Sequence, residues 1–240
     1  MKKIFLLSVC LVALSCSAMA ADVEVWQDPA LNFSEIKKIF VMPFDSKLEA
    51  NSSLMPAKQQ NAQIISWASD GIAASMGKGK IMVKTLDALQ EDMKFIYGDK
   101  IPEGEEFFKA ASEMGYGAFI RATLTQKFVI QHVPEQTRTY TEYKEIEKRD
   151  KKGNIIETLR IPEEKTEIIP AHDVTYLSTD FEPKLFMTSD HEGDHVAAAR
   201  GSIYREYQGG PVMKVVENLV KASMKDLFAH EEKTSSKTKN

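Results

Sequence analysis

Residues 36–45 read IKKIFVMPFD, a β-branched and aromatic run that predicts a buried strand ending at Pro43. A helix is predicted over residues 57–76, where apolar side chains recur at helical spacing. The pattern continues with two strands and two helices, in the order 81–83 (strand), 86–97 (helix), 103–114 (helix) and 117–130 (strand). Strands that alternate with helices predict an α/β layer structure.

The middle of the chain has a different composition. Residues 134–169 are polar or charged at nearly every position, and a turn signal, DKKGN, occupies residues 150–154. This pattern predicts a long, charged β-hairpin with little to bury. Two interpretations stay open: a solvated surface ribbon, or an arm that docks on a partner through its exposed strand edges.

The final third predicts two more strands, at 173–187 and 196–207, and then a helix that begins after Pro211. The complete expectation is an α/β (α+β) fold: a mixed sheet flanked by helices, with a polar hairpin elaboration and a C-terminal helix. We expect a single domain over residues 21–228 and a disordered charged tail over residues 229–240.

The amino terminus predicts export. Lys2 and Lys3 precede an apolar run at residues 4–14, and Ala18-Met19-Ala20 completes the pattern of a secretory signal peptide over residues 1–20. The apolar run is too short to span a bilayer. Export removes ATP, NAD and nucleic acid from the protein's surroundings and therefore disfavours most enzyme classes.

A second interpretation of the same segment rests on Cys16. The sequence VALSC at residues 12–16 loosely matches the site at which a lipoprotein is acylated, although Ala13 stands where Leu is usual. Cleavage after Ala20 would give a periplasmic or secreted protein. Acylation of Cys16 would give a membrane-tethered lipoprotein with the same fold.

The net charge constrains the class of binding partner, and the cysteine content constrains the source of stability. The chain has 31 basic and 35 acidic residues, and removal of Lys2 and Lys3 with the signal leaves a net charge of −6. An acidic chain is a poor partner for nucleic acid or an anionic membrane surface. Cys10 and Cys16 both lie within the signal, so the stability of the exported chain depends on its buried core.

The first half resembles a known group of proteins. The strand Lys37-Lys38-Ile39-Phe40-Val41-Met42-Pro43-Phe44 resembles the K-I-x-V-x-P-F opening strand of secreted bacterial envelope domains of the TolB amino-terminal, CsgG and LpoB type. The stretch MGYGAFI at 114–120 is similar to the segment that leads into the family's central strand, with Ala118-Phe119 where Asp is usual. The resemblance covers roughly residues 36–130. It implies a binding or assembly module and no catalysis.

One catalytic motif is present. His191-Glu192-Gly193-Asp194-His195 fits H-E-x-x-H, in which two histidines on one helix face bind zinc and the glutamate is the general base. Glu217 is the candidate third ligand. Gly193 is unfavourable in a helix, and the stretch is also typical of a polar turn between strands.

Three functions follow from these observations. The first is an exported, non-catalytic cell-envelope protein that binds or assembles with another envelope protein and needs no cofactor. The second is a secreted zinc metallohydrolase that uses Glu192, His191, His195 and Glu217. The third is a soluble binding protein for a small ligand.

Overall fold

A computed structural model describes residues 22–49, 57–77 and 80–235 of the chain. The predicted signal peptide and Cys16 lie outside these residues. The chain separates into two compact units. The sheet unit contains the described residues up to Phe128, Leu177–Arg205 and the residues from Gly209 onward. The ribbon unit contains Val129–Tyr176 and Glu206–Gln208.

The described residues form nine strands and four α-helices. The strands are β1 (Asp22–Gln27), β2 (Lys38–Val41), β3 (Asp45–Leu48), β4 (Met82–Thr85), β5 (Tyr116–Val133), β6 (Gln136–Arg149), β7 (Ile155–Ile169), β8 (His172–Met187) and β9 (Ala197–Glu206). The helices are α1 (Ala57–Met76), α2 (Leu86–Tyr97), α3 (Glu105–Glu113) and α4 (Val212–Ser235). None of these helices is both long and apolar enough to cross a membrane.

Seven strands form one mixed sheet in the order β1-β9-β8-β5-β2-β4, and β3 also pairs with β5. Strand β2 is parallel to β4 and β5, whereas β1 is antiparallel to β9. Strands β6 and β7 form a separate two-stranded sheet. The predicted fold class, a mixed sheet flanked by helices with a hairpin elaboration and a C-terminal helix, is confirmed.

Helices cover both faces of the sheet at β2. Ile39 and Val41 belong to a large apolar core that also contains residues of α1 and α4, such as Ile64 and Leu219. Phe40, which points to the opposite face, belongs to a second core built with α2 and α3. Burial on both faces explains why β2 is apolar at consecutive positions instead of alternating.

Strands β8 and β9 are covered on one face only. Phe181 and Leu185 of β8 are buried in the large core, and the intervening Glu182 and Lys184 have solvent-accessible side chains. The same alternation continues in β9. This half of the sheet therefore presents a partly open face, as antiparallel sheets commonly do.

Helix α4 packs closely on the sheet and on α1. A Cβ atom at Gly201 of β9 would lie 2.1 Å from Ser223 Oγ and 2.8 Å from Leu219 Cδ1. A Cβ atom at Gly71 of α1 would lie 2.7 Å from the carbonyl oxygen of Lys221. The two glycines thus allow backbone approaches that any larger side chain would prevent.

The predicted hairpin is present in the ribbon unit. Strands β6 and β7 pair from Gln136 opposite Ile169 to Arg149 opposite Ile155, and every residue of β6 is exposed. At the turn, the Asp150 carboxylate accepts hydrogen bonds from the backbone N–H groups of Lys152 and Asn154. These bonds, with that to Asn154 the strongest, lower the pKa of Asp150.

The structure adds elements at both ends. Strands β1 and β3 were not predicted, and β1 lies before the first predicted strand. Helix α4 continues to Ser235, beyond the predicted domain limit at residue 228. The added segment, AHEEKTS, contains mostly residues that tolerate helix well.

Candidate functional site

The H-E-x-x-H stretch forms a turn. Strand β8 ends at Met187, a short 3-10 helix covers Thr188–Asp190, and β9 begins at Ala197. The Gly193 N–H donates to the Asp190 carbonyl oxygen at 3.2 Å. A Cβ atom at Gly193 would lie 2.3 Å from Asp190 Oδ2, so the turn accepts glycine there. The helix on which the zinc-peptidase motif depends is absent from residues 191–195.

The two histidines of this turn pack against different aromatic rings. The His191 imidazole stacks on Phe108 of α3 with a centroid distance of 4.3 Å and an interplanar angle of 11°. His195 meets Trp26 edge-on at 5.2 Å and lies 6.2 Å from Phe186. Both imidazoles therefore serve as aromatic packing groups in this structure.

Glu217 is engaged in a separate network on α4. Its carboxylate accepts from Lys221 at 2.9 Å and Lys214 at 3.0 Å, and Lys221 also pairs with Asp70 of α1 at 3.0 Å. The hydrogen bond from Lys221, followed by that from Lys214, lowers the pKa of Glu217. Within residues 22–49, 57–77 and 80–235, no three His, Cys, Asp or Glu side chains converge as metal ligands would.

A continuous run of rings extends from the partly open face of the sheet unit into the core beneath α3, where Phe119 is fully buried. We call it the aromatic row, and its members in order are Trp26, His195, Phe186, Phe119, Phe108 and His191. Phe119 and Phe186 stack at 5.2 Å and 14°. Five segments contribute to the row: β1, β5, β8, α3 and the turn before β9.

Arg121 lies over the centre of the row. Its guanidinium carbon is 5.1 Å from the Phe119 ring centroid and 5.3 Å from that of Phe186. A cation at this distance from ring faces is attracted by their quadrupoles. Arg121 is exposed, so its remaining donors are accessible to a binding partner.

Three shallow depressions flank the row. One, of about 430 Å³, is lined by Phe108, Arg121, His191 and Glu192 among others. The others, of about 410 and 480 Å³, share Glu182 and Lys184; Arg121 lines the first and Trp26 the second. Charges of both signs thus surround an apolar strip, and 51% of the Trp26 surface is solvent-exposed.

A histidine–carboxylate pair occurs in the ribbon unit. His132 Nδ1 lies 2.8 Å from Asp173 Oδ1, and both side chains are largely exposed. His172, the sequence neighbour of Asp173, instead contacts the Pro170 carbonyl oxygen through Nδ1 at 3.0 Å.

Sequence reasoning missed the aromatic row. Trp26 lies in the stretch Asp22–Gln27, which was not predicted as a strand although its residues alternate as those of a half-buried strand do. That alternation was the available signal. The pairing of Trp26 with Ala198, which brings Trp26 next to the turn at 191–195, depends on sheet register and is not readable from the chain.

Solved structures of two bacterial proteins match this chain over most of its length, at low sequence identity and low TM-score. The PelC dodecamer from Paraburkholderia phytofirmans is 13% identical, with a TM-score of 0.41 and coverage of 88% of this chain and 99% of PelC. Lipoprotein GNA1162 from Neisseria meningitidis is 14% identical, with a TM-score of 0.34 and coverage of 79% and 96%. No protein-family model and no curated protein matches the chain.

Proposed function

We propose that this protein is an exported, non-catalytic cell-envelope protein that binds another envelope protein through the aromatic row. The observation that carries the proposal is the row itself, with half-exposed Trp26 at one end and Arg121 over its centre. Trp and Arg dominate the energetics of protein–protein interfaces, because each combines a large buried area with directed polar contacts.

The charges around the row favour a protein as the partner. Glu24, Glu182, Lys184 and Arg200 line the depression beside Trp26, so a ligand there meets both signs of charge. A phosphate backbone or an anionic bilayer requires a consistently basic surface, whereas this chain is acidic overall. A folded or extended protein segment with its own mixed charges fits better.

The proposed location follows from the amino-terminal signal. Cleavage after Ala20 would release the protein into the periplasm or beyond, and acylation at Cys16 would hold it at a membrane. Mass spectrometry of the mature chain distinguishes the two. A mature chain that begins at Ala21 supports the soluble form, and a lipid-modified first cysteine supports the tethered form.

In-cell photocrosslinking tests the binding proposal. A photoreactive amino acid at position 26 should give a discrete protein adduct, and the same residue at position 95 should not. Phe95 is the matched control, because it is an aromatic residue of α2 with 94% exposure and lies outside the row.

The Arg121→Ala substitution provides the second arm. We expect it to reduce the position-26 adduct at least several-fold, because the partner loses a hot-spot contact, while Phe95→Ala leaves the adduct unchanged. Equal adducts from positions 26 and 95, or an adduct insensitive to Arg121→Ala, would contradict the proposal.

A further inference from the structure

The register of β6 and β7 divides the ribbon into two chemically different faces. Directly opposed residues of an antiparallel pair point to the same side. The first ribbon face carries the even-numbered residues of β6 from 138 to 148 and the odd-numbered residues of β7 from 157 to 167. The second ribbon face carries the odd-numbered residues of β6 from 137 to 147 and the even-numbered residues of β7 from 158 to 168.

The first ribbon face has an apolar centre in contact with solvent. Ile146 lies opposite Leu159, and Ile161 occupies the adjacent row. These three side chains are 43–46% exposed. At the corresponding level the second ribbon face has Glu145, Arg160 and Thr158. Its own exposed apolar side chains, Tyr143 and Ile168, are separated by the Thr139 and Thr141 rows, so adjoining Ile and Leu side chains occur only at the centre of the first ribbon face.

Charge on the first ribbon face is separated by strand. Strand β6 contributes Arg138, Lys144 and Lys148 against a single Glu142, a net charge of +2. Strand β7 contributes Glu157, Glu163 and Glu167 against a single Lys165, a net charge of −2. A surface with a basic strip beside an acidic strip is complementary to a second copy that is rotated by half a turn about the strand direction.

We propose that a second copy of this chain stacks its first ribbon face on the first ribbon face of this copy. In this stack, β6 of one copy runs in the same direction as β6 of the other. In that arrangement β6 of each copy lies over β7 of the other, about 10 Å away as in packed sheets. Ile146 then meets Leu159 of the second copy, and Lys148 meets Glu157 of the second copy. The reversed arrangement places β6 over β6 and opposes two basic strips.

Face stacking is preferred to edge pairing because of Pro162. This residue lies opposite Tyr143 in the middle of β7 and removes a backbone donor from the free edge of that strand. A two-stranded hairpin is also only marginally stable alone, so it gains from a covering layer. The ribbon is narrow, and we expect weak, concentration-dependent association.

Sedimentation of the mature chain at concentrations up to the submillimolar range tests the apolar centre. Wild-type protein should approach dimer mass, and Ile146→Lys should remain monomeric. Thr141→Lys is the matched control, since it adds the same charge to β6 on the second ribbon face and should leave dimerisation unchanged. A monomeric wild type, or equal effects of the two substitutions, would overturn the proposal.

Charge exchange tests the strand direction. Lys148→Glu and Glu157→Lys should each abolish the dimer, since like charges then meet across the interface. An equimolar mixture of the two variants should recover dimer mass, because positions 148 and 157 of the two different chains then carry opposite charges at both contacts. This recovery does not depend on the ion pair within a ribbon, which both variants have lost. A mixture that stays monomeric would refute the arrangement in which β6 of each copy lies over β7 of the other.

Discussion

The sheet unit and the ribbon unit both contain β-strands but are stabilised by different forces. In the sheet unit, β8 buries Leu177, Phe181 and Leu185 completely. In the ribbon unit, all 14 residues of β6 are exposed, and ion pairs such as Arg160–Glu145 and Lys148–Glu157 link the strands. The comparison teaches that one unit depends on apolar burial and the other on cross-strand pairing.

Deletion of a core side chain should have the largest effect. Leu219 is fully buried in the large core, and Leu219→Ala should lower the free energy of unfolding of the sheet unit by about 2–5 kcal/mol through lost burial and a residual cavity. Trp26 and Trp67, the two tryptophans of the chain, both belong to this unit, so tryptophan fluorescence in a denaturant titration reports its unfolding.

Leu159→Ala is the matched change in the ribbon unit, where the side chain is 44% exposed. It should leave the tryptophan transition unchanged at protein concentrations too low for association. A large loss from Leu159→Ala, or none from Leu219→Ala, would break the distinction between the two units.

Overpacking at the α4 contact should have an intermediate effect. Gly201→Ala places a methyl group where Ser223 Oγ now lies, and we expect a loss of about 1–3 kcal/mol. Ser202→Ala, at the next residue and on the other face of β9, is the control and should change little. Adding Ser223→Ala to Gly201→Ala should restore part of the loss, because Ser223 Oγ is buried without a hydrogen-bond partner. A strictly additive double variant would argue against the clash.

Loss of a ribbon ion pair should have a small effect. Arg160 Nε lies 2.8 Å from Glu145 Oε1, but both side chains are more than half exposed. Glu145→Ala should reduce amide hydrogen-exchange protection in β6 and β7 by the equivalent of about 0.2–1 kcal/mol, and high salt should diminish the difference. A salt-independent effect would show that packing, not charge, stabilises the ribbon.

The smallest effect is expected for metal content. His191 and His195 contact different rings in a turn, so purified protein should contain less than one zinc ion per chain, and His195→Ala should not alter that content. Elemental analysis measures this directly. One zinc per chain that disappears in His195→Ala would restore the metallohydrolase hypothesis.

Regular elements with strong patterns were readable from the sequence. Helices at 57–76 and 86–97 match their predicted limits, because each has clear apolar periodicity and ends at glycine. Strand β3 was missed because DSKL lies just after Pro43 and has no apolar alternation. Its extended conformation is stabilised by pairing with β5, which is distant in the chain. Local pattern predicts an element well only where its own sequence carries the burial signal.

The candidate site was not readable, because it joins residues that are distant in the chain. The Trp26–His195 contact spans most of the sequence and depends on β1 pairing with β9. The motif at 191–195 suggested a site by its pattern alone. Its spacing matches that of zinc peptidases, but Gly193 and the flanking strands impose a turn. Spacing alone cannot separate those outcomes, whereas tertiary register does.

The proline in β7 has a consequence for the chain before it has folded. Before it folds, a polypeptide that carries the segments TYTEYKEIE and IIETLRI is exposed to fibril growth, in which every backbone donor must pair with the chain above it. Pro162 directly follows the second segment and interrupts that ladder, and the flanking glutamates repel neighbouring copies. A single missing N–H group therefore acts as a gatekeeper against aggregation in a stretch of the chain with no buried core to protect it.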